Sequence, residues 1–200
     1  MNRTITNEEI NLLPLINFKG DIVVVDSLAQ IEEVVSELSS TNILGFDTET
    51  KPAFKKGTFH KVALLQLATA NRVFLIRLNI IGLPMEIVKI LELPNIVKAG
   101  AAIRDDIKAL QKWTSFKAQG FVELQNLAKE KGMVEISLKK LSAILLYGKM
   151  SKRQRLSNWE EPELTEGQQL YAATDAWASY KIYNTLIFKP TLSVSTLLNE

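Results

Sequence analysis

The sequence contains no cysteine and only one histidine, His60. The lack of cysteine excludes a disulfide framework, a thiolate zinc site and a cysteine nucleophile, and a single histidine excludes a metal site built from several imidazoles. A metal ion would have to be held by carboxylates, which favours hard cations such as magnesium or manganese. An excess of one charge is also lacking, because 24 Lys and Arg stand against 22 Asp and Glu. The net charge of +2 is too weak to indicate a nucleic-acid partner by itself.

Long apolar runs are missing as well. The apolar stretches are interrupted by residues such as Arg77 and Lys89, well short of the roughly 20 residues that cross a membrane. Glu8 and Glu9 stand where a signal peptide would need apolar side chains. We therefore expect a cytoplasmic protein that does not bind a membrane, and the sequence indicates no protein partner. The length of 200 residues predicts one domain over 1–200, with a core at about 20–188.

The order of the secondary-structure signals predicts an α/β fold. Apolar and β-branched runs predict five strands, at 21–26, 42–48, 62–69, 72–78 and 95–99. Helices are predicted after Ser27, from Pro84, and at 103–113, 123–131, 138–147 and 166–188, with Gly148 and Pro190 ending the last two. Strands that come early and helices that come late favour one mixed sheet flanked by helices.

Two carboxylates lie close together at the end of the strand predicted at 42–48. Period-two alternation puts Asp47 and Glu49 on one face and Phe46 and Thr48 on the other. Adjacent carboxylates at the end of an apolar strand repel each other and lose hydration, and a bound cation removes that cost. The alternative interpretation is a strand end that opens into solvent, with Glu49 simply exposed.

The helix predicted from Ile103 carries a carboxylate in its apolar stripe. The stripe runs through Ile103, Ile107 and Leu110, and Asp106 falls within it. Asp105 faces outward instead. The alternative for Asp106 is a place at the edge of the stripe, in the first helical turn, where the helix dipole favours an anion.

A tyrosine and an aspartate share one face of the last predicted helix. Tyr171 and Asp175 are four positions apart, and the residues between them are small. Small residues permit close packing against another element. The alternative is an ordinary tyrosine–aspartate hydrogen bond on a helix surface.

Together these segments resemble the three motifs of the DEDD superfamily of 3'-5' exonucleases, tyrosine subgroup. The motifs read FDTE at 46–49, GAAIRDD at 100–106 and YAATD at 171–175. The flanking segments VALLQLA at 62–68 and SNW at 157–159 also look like those of the family. The resemblance extends over about residues 20–188, and it is nearest to the Werner-type exonuclease domain, followed by ribonuclease D.

The resemblance implies a ribonuclease H-like fold, with a mixed five-stranded sheet flanked by helices. It implies a hydrolase that removes nucleoside 5'-monophosphates from the 3' end of a nucleic acid with two divalent cations, Mg²⁺ or Mn²⁺. Four carboxylates would bind these cations: Asp47, Glu49, Asp106 and Asp175. Asp47 would bridge both ions, Glu49 and Asp175 would complete the first site, and Asp106 would hold the second ion. Tyr171 would orient or help deprotonate the attacking water.

Basic residues near the first and third motifs are candidate phosphate contacts, although the net charge hides them. They are Lys51, Lys55, Lys56, Lys61, Lys152, Arg153 and Arg155. Leu65 and Gln66, on the strand after the first motif, are further predicted substrate contacts. Phe54, Phe59 and Trp159 could stack on bases. The alternatives are that the loops only aid solubility and that Trp159 belongs to the core.

The expected partner is a nucleic acid with a 3' end, either single-stranded or with a 3' overhang, and we favour DNA. Two alternatives stay open. One is a ribonuclease D-like exoribonuclease, because the contacts that recognise a 2'-hydroxyl are not visible in a sequence. The other is a catalytically silent module on the same fold that binds nucleic acid or a protein.

Overall fold

The computed structural model describes residues 4–55 and 57–188. Its centre is a six-stranded sheet formed by β1 (Asp21–Val25), β2 (Ile43–Thr50), β3 (Val62–Ala68), β4 (Arg72–Arg77), β5 (Val97–Gly100) and β6 (Phe121–Glu123). The α-helices are α1 (Asn7–Leu12), α2 (Ile31–Ser39), α3 (Leu78–Ile81), α4 (Met85–Glu92), α5 (Ile103–Leu110), α6 (Leu124–Glu130), α7 (Leu138–Leu146) and α8 (Glu166–Phe188). Within these residues, no helix combines the length and the apolar character needed to cross a membrane.

The sheet is mixed, with the order β1-β4-β3-β2-β5-β6. β3 runs antiparallel to β2 and β4, whereas β1 pairs with β4, β5 with β2 and β6 with β5 in parallel. The predicted α/β class is confirmed, and the sheet has one strand more than the predicted five. β6 has only three residues, which is too short for alternation to show, and its last residue lies where the sequence predicts a helix.

Two hydrophobic layers enclose the sheet. On one face, Leu44 and Phe46 of β2 pack with apolar side chains of α2, α4 and α5. On the other face, the small residues Ala172, Ala173 and Ala176 of α8 pack against β3 and β4. β2 therefore lies between α5 and α8, and each helix covers one face of it.

Gly45 allows α8 to approach β2 closely. A Cβ atom at this position would lie 1.9 Å from the carbonyl oxygen of Ala176, so a larger residue would push the helix away from the sheet. Gly45 is on the same face of β2 as Asp47 and Glu49. The close contact therefore brings α8 directly over the two carboxylates of the strand.

The end of α7 differs from the prediction. The residue in the left-handed conformation is Tyr147, with φ 56°, not Gly148. Gly148 instead fills a tight contact, because a Cβ there would lie 2.1 Å from Cγ2 of Ile16. Pro190, predicted to end α8, lies outside the described residues. The sequence pattern does not predict α1 and α3, which are short.

Candidate active site

Three carboxylates meet where β2 ends beneath α8. One oxygen each from Asp47, Glu49 and Asp175 lies within 4.8 Å of the others. The period-two alternation of β2 brings the first two together, as predicted, and α8 supplies the third across the contact at Gly45. Three oxygen ligands at this separation can hold a hard divalent cation.

The carboxylates of this cluster resist ionisation. Burial raises the pKa of Asp47 well above its usual range, and the charges of Asp175 and Glu49 raise it further. Burial, with the charges of Asp175 and Asp106, raises the pKa of Glu49 to about 8. Burial also raises the pKa of Asp175, against a hydrogen bond from Tyr171 that lowers it. A bound cation would neutralise this repulsion, so the donor set fits a divalent metal.

Asp106 reaches the same site from the opposite face of β2. The hydroxyl of Thr48 donates a hydrogen bond of 2.6 Å to Oδ1 of Asp106. Asp106 is close enough for its charge to raise the pKa of both Asp47 and Glu49. Asp105 lies outside the site, since its side chain is 93% exposed and 4.0 Å from Nζ of Lys108. The structure therefore places Asp106, and not its neighbour, beside the three-carboxylate cluster.

Tyr171 lies one turn before Asp175 on α8 and adjoins the cluster. Burial, followed by the charge of Asp175, raises the pKa of its phenol above its usual value, so the hydroxyl stays protonated at neutral pH. Its ring packs near Trp159, with ring centroids 6.1 Å apart. Trp159 is fully buried, which agrees with core packing and leaves no ring face for a base to stack on.

Residues 22–189 match the family model for 3'-5' exonuclease. The chain belongs to the 3'-5' exonuclease family. It is 35% identical to the bifunctional 3'-5' exonuclease/ATP-dependent helicase WRN of Mus musculus over 87% of this chain and 13% of that protein. It is 29% identical to a 3'-5' exonuclease of Arabidopsis thaliana over 86% of this chain and 66% of that protein. The chain thus spans less than two thirds of either relative.

A solved exonuclease domain has a similar structure. The EXO domain of Aedes aegypti Nibbler superposes with a TM-score of 0.78 and 26% sequence identity. The match covers 86% of this chain and 90% of that domain. The predicted resemblance to 3'-5' exonucleases is thereby confirmed in sequence and in fold.

The predicted basic contacts of this family member lie in two loops. Exposed side chains are those of Lys55, Lys61, Lys152, Arg153 and Arg155. Arg153 lines a cavity of about 220 Å³ together with Tyr171 and Asp175, so it lies near one carboxylate of the cluster. Lys51 instead pairs with Glu160 at 3.2 Å, and Lys61 lies over the ring of Trp113 at 4.4 Å. Lys56 lies outside the described residues.

Leu65 and Gln66 are both fully buried, so neither offers a surface to a substrate here. Gln66 is the register partner of Asp47 and shares its face of the sheet. Its Oε1 is buried without a hydrogen-bond partner among the described residues. Gln66 therefore lies beneath the carboxylate cluster, whereas Leu65 points into the other hydrophobic layer.

Sequence reasoning missed two acidic residues that shape this site. Glu160 pairs with Lys51 and lies 3.1 Å from Nδ1 of His60. Lys51 and His60 lie at the two ends of the loop after the first motif, so Glu160 contacts both ends. The Glu123 carboxylate accepts hydrogen bonds from the backbone N–H groups of Ala102 and Ile103, at the turn before α5. No sequence signal could have found these roles, because the partners are distant along the chain and share no periodicity.

Proposed function

We propose that this chain is a metal-dependent 3'-5' exonuclease that releases nucleoside 5'-monophosphates from the 3' end of a nucleic acid. The observation that supports this most strongly is the Asp47–Glu49–Asp175 cluster, whose oxygens lie within 4.8 Å of one another. Asp106 lies beside the cluster, so all four carboxylates of the DEDD pattern are brought together. Family membership supports the same reaction.

The carboxylates divide into two groups that suit two cations, Mg²⁺ or Mn²⁺. Asp47, Glu49 and Asp175 would hold one ion, and Asp47 with Asp106 would hold the other. When bound, two such ions would activate a water molecule and stabilise the charge on the leaving 3' oxygen. The fold supports this division, because the first group lies under α8 while Asp106 comes from α5.

Protein side chains would supply the remaining functions. The Tyr171 hydroxyl stays protonated and can donate a hydrogen bond, so it would orient the attacking water beside Asp175. Arg153, with its neighbours Lys152 and Arg155, would bind backbone phosphates next to the cavity at Tyr171. Thr48 would keep the carboxylate of Asp106 directed at its ion.

The test is digestion of an oligonucleotide labelled at its 5' end, in Mn²⁺ and in EDTA. We expect a ladder that shortens from the 3' end in Mn²⁺ only, and Asp47→Asn should abolish it. Asp105→Asn is the matched control, because it removes a similar charge from a carboxylate that is 93% exposed, and it should remain active. An Asp47→Asn variant with wild-type turnover would contradict the assignment.

The type of nucleic acid requires a comparison of substrates. Our sequence interpretation favours DNA. A second candidate, an exoribonuclease, is favoured by the fold shared with the Trypanosoma brucei RNase D complex with RNA U12, at a TM-score of 0.76 and 18% identity. Matched DNA and RNA oligonucleotides with 3' overhangs, digested side by side, distinguish the two. Binding of both without digestion of either would instead indicate a catalytically silent module.

A further inference from the structure

The carboxylate of Glu123 accepts hydrogen bonds from three backbone N–H groups at the starts of two helices. The N–H groups of Ala102 and Ile103 donate to its two carboxylate oxygens at 3.0 and 2.9 Å. The N–H of Gln125 donates to Oε1 at 3.2 Å. Glu123 thereby caps α6, which follows it directly, and also holds the start of α5, which lies 20 residues earlier in the chain.

The turn that Glu123 holds is strained. Ala102 adopts the left-handed conformation, with φ 61° and ψ 29°, which costs free energy for a residue with a side chain. Such conformations persist only where surrounding contacts impose them. Just before the turn, the end of β5 lies close to β2, because a Cβ at Gly100 would lie 2.7 Å from the carbonyl oxygen of Phe46. The start of α5 is thus clamped between Glu123 and the strand that carries Asp47.

We propose that Glu123 is a positioning residue that sets α5 so that Asp106 faces the second cation site. The N–H of Ile103 donates a hydrogen bond to the Glu123 carboxylate, and Asp106 lies one helical turn after Ile103. A shift at the start of the helix therefore displaces Asp106 directly. This role rests on the proposed exonuclease function. It also gives the left-handed turn a role, which is to direct the carboxylate of Asp106 toward Thr48 of β2.

Two isosteric variants test the role. Glu123→Gln replaces one carboxylate oxygen with an NH₂ group. This group donates hydrogen bonds, so it cannot accept one from the N–H groups of the turn. Glu92→Gln is the matched control, since the Glu92 carboxylate also accepts a backbone N–H, from Lys117 at 2.8 Å, but lies at the end of α4. Titration calorimetry with Mn²⁺ measures binding at each site without turnover, and thermal melting measures stability.

For Glu123→Gln we expect one of the two Mn²⁺ ions to bind about ten- to a hundredfold more weakly, the usual effect of removing a residue that orients a metal ligand. The ion at Asp47, Glu49 and Asp175 should keep its affinity. Activity should fall at limiting Mn²⁺ and recover at high Mn²⁺. Glu92→Gln should bind both ions as the wild type does. If Glu123→Gln does not fold, Glu123→Asp, which draws the carboxylate back by one methylene, should show the same selective weakening.

Unchanged affinity for both ions in a variant that melts at a lower temperature would overturn the proposal and leave Glu123 as a helix cap alone. Equal weakening of both ions would also overturn it, because the effect would not pass through Asp106. A wild-type chain that neither binds Mn²⁺ nor digests a nucleic acid would overturn the proposed function, and this role with it. A wild type that does both, beside a Glu123→Gln variant with normal affinities, would overturn the positioning role only.

Discussion

Thr48 donates a 2.6 Å hydrogen bond to Asp106 from the face of β2 opposite to that of Asp47. The acidic site is therefore not confined to one side of the sheet. Asp47 and Glu49 face α8, whereas Thr48 faces α5 and meets Asp106 at the strand end. One strand thus contributes to both groups of carboxylates, and its successive residues face different helices.

The contact between Thr48 and Asp106 predicts a selective metal defect. Thr48→Val keeps the shape of the side chain and removes the hydroxyl that orients the carboxylate, so we expect about tenfold weaker binding of one Mn²⁺. Thr48→Ser retains a hydroxyl and should restore most of the affinity. Calorimetric titration of both variants checks this, and equal affinities in Thr48→Val and the wild type would show that Asp106 needs no such support.

Metal-free protein should lose stability as the pH rises. The pKa of Glu49 is raised from 4.5 to about 8, so the folded state holds a proton that the unfolded chain releases. The free energy of unfolding should therefore decrease between about pH 4.5 and pH 8. Thermal melting in EDTA across this window measures the decrease.

Two controls accompany the melting series. Glu49→Gln should make the decrease smaller, because the variant has no proton to release at that position, while Asp47 and Asp175, whose pKa values are also raised, still contribute. Saturating Mg²⁺ should reverse it at the alkaline end, because the ion binds only the ionised cluster. A wild-type profile in EDTA that stays flat up to pH 8 would contradict the raised pKa.

Tyr171 should act through its hydroxyl. Tyr171→Phe keeps the ring against Trp159 and removes only the oxygen, so we expect turnover to fall by about 10²–10⁴-fold with little change in melting temperature. Tyr180→Phe, on the same helix but lining a different cavity with Arg72, should retain activity. Single-turnover kinetics measure the difference, and full activity in Tyr171→Phe would return the residue to a packing role.

The loop that carries Arg153 should bind phosphates. Changing Lys152, Arg153 and Arg155 together to Gln should weaken binding to all sequences alike. The slope of log affinity against log salt concentration should become shallower by about 0.7 for each phosphate that the variant no longer neutralises. Binding is measured in the inactive Asp47→Asn background, so that the substrate stays intact.

The matched control for this loop changes three exposed lysines that lie elsewhere, namely Lys117, Lys129 and Lys131. These substitutions remove the same number of positive charges, so they correct for the change in net charge. The control variant should keep the wild-type slope. Equal slopes in the two triple variants would mean that the loop with Arg153 only aids solubility.

The end of α7 should tolerate a more favourable residue. Tyr147 is left-handed at φ 56° and 61% exposed, so Tyr147→Gly relieves strain and sacrifices little packing. We expect the free energy of unfolding to rise by about 1 kcal/mol, as measured by denaturant titration. Gly148→Ala should be destabilising, since its Cβ would meet Ile16. A destabilising Tyr147→Gly would contradict the left-handed conformation at Tyr147 and would place the helix end at Gly148, where the sequence predicts it.

Local periodicity predicts the parts of the site that lie close together in the sequence. Alternation along one strand puts Asp47 beside Glu49, and the helical repeat puts Tyr171 beside Asp175 and distinguishes Asp106 from Asp105. These relationships follow from backbone geometry alone, because residues two apart on a strand or four apart on a helix share a face. The five predicted strands follow from the same local patterns, and the order of strands and helices along the chain favours a mixed sheet.

Only the tertiary structure decides how these pieces meet. The contact of Gly45 with Ala176 sets the distance between α8 and β2, and it thereby places Asp175 over Asp47. The bonds of Glu123 to the turn at Ala102 depend on β6 lying beside β5, and no local pattern encodes that pairing. The sequence by itself thus determined which carboxylates share a face within one strand or one helix, since their spacing is a property of single elements. The packing of both faces of β2 decided that they lie together, because contacts between distant residues exist only once the sheet order and the core are formed.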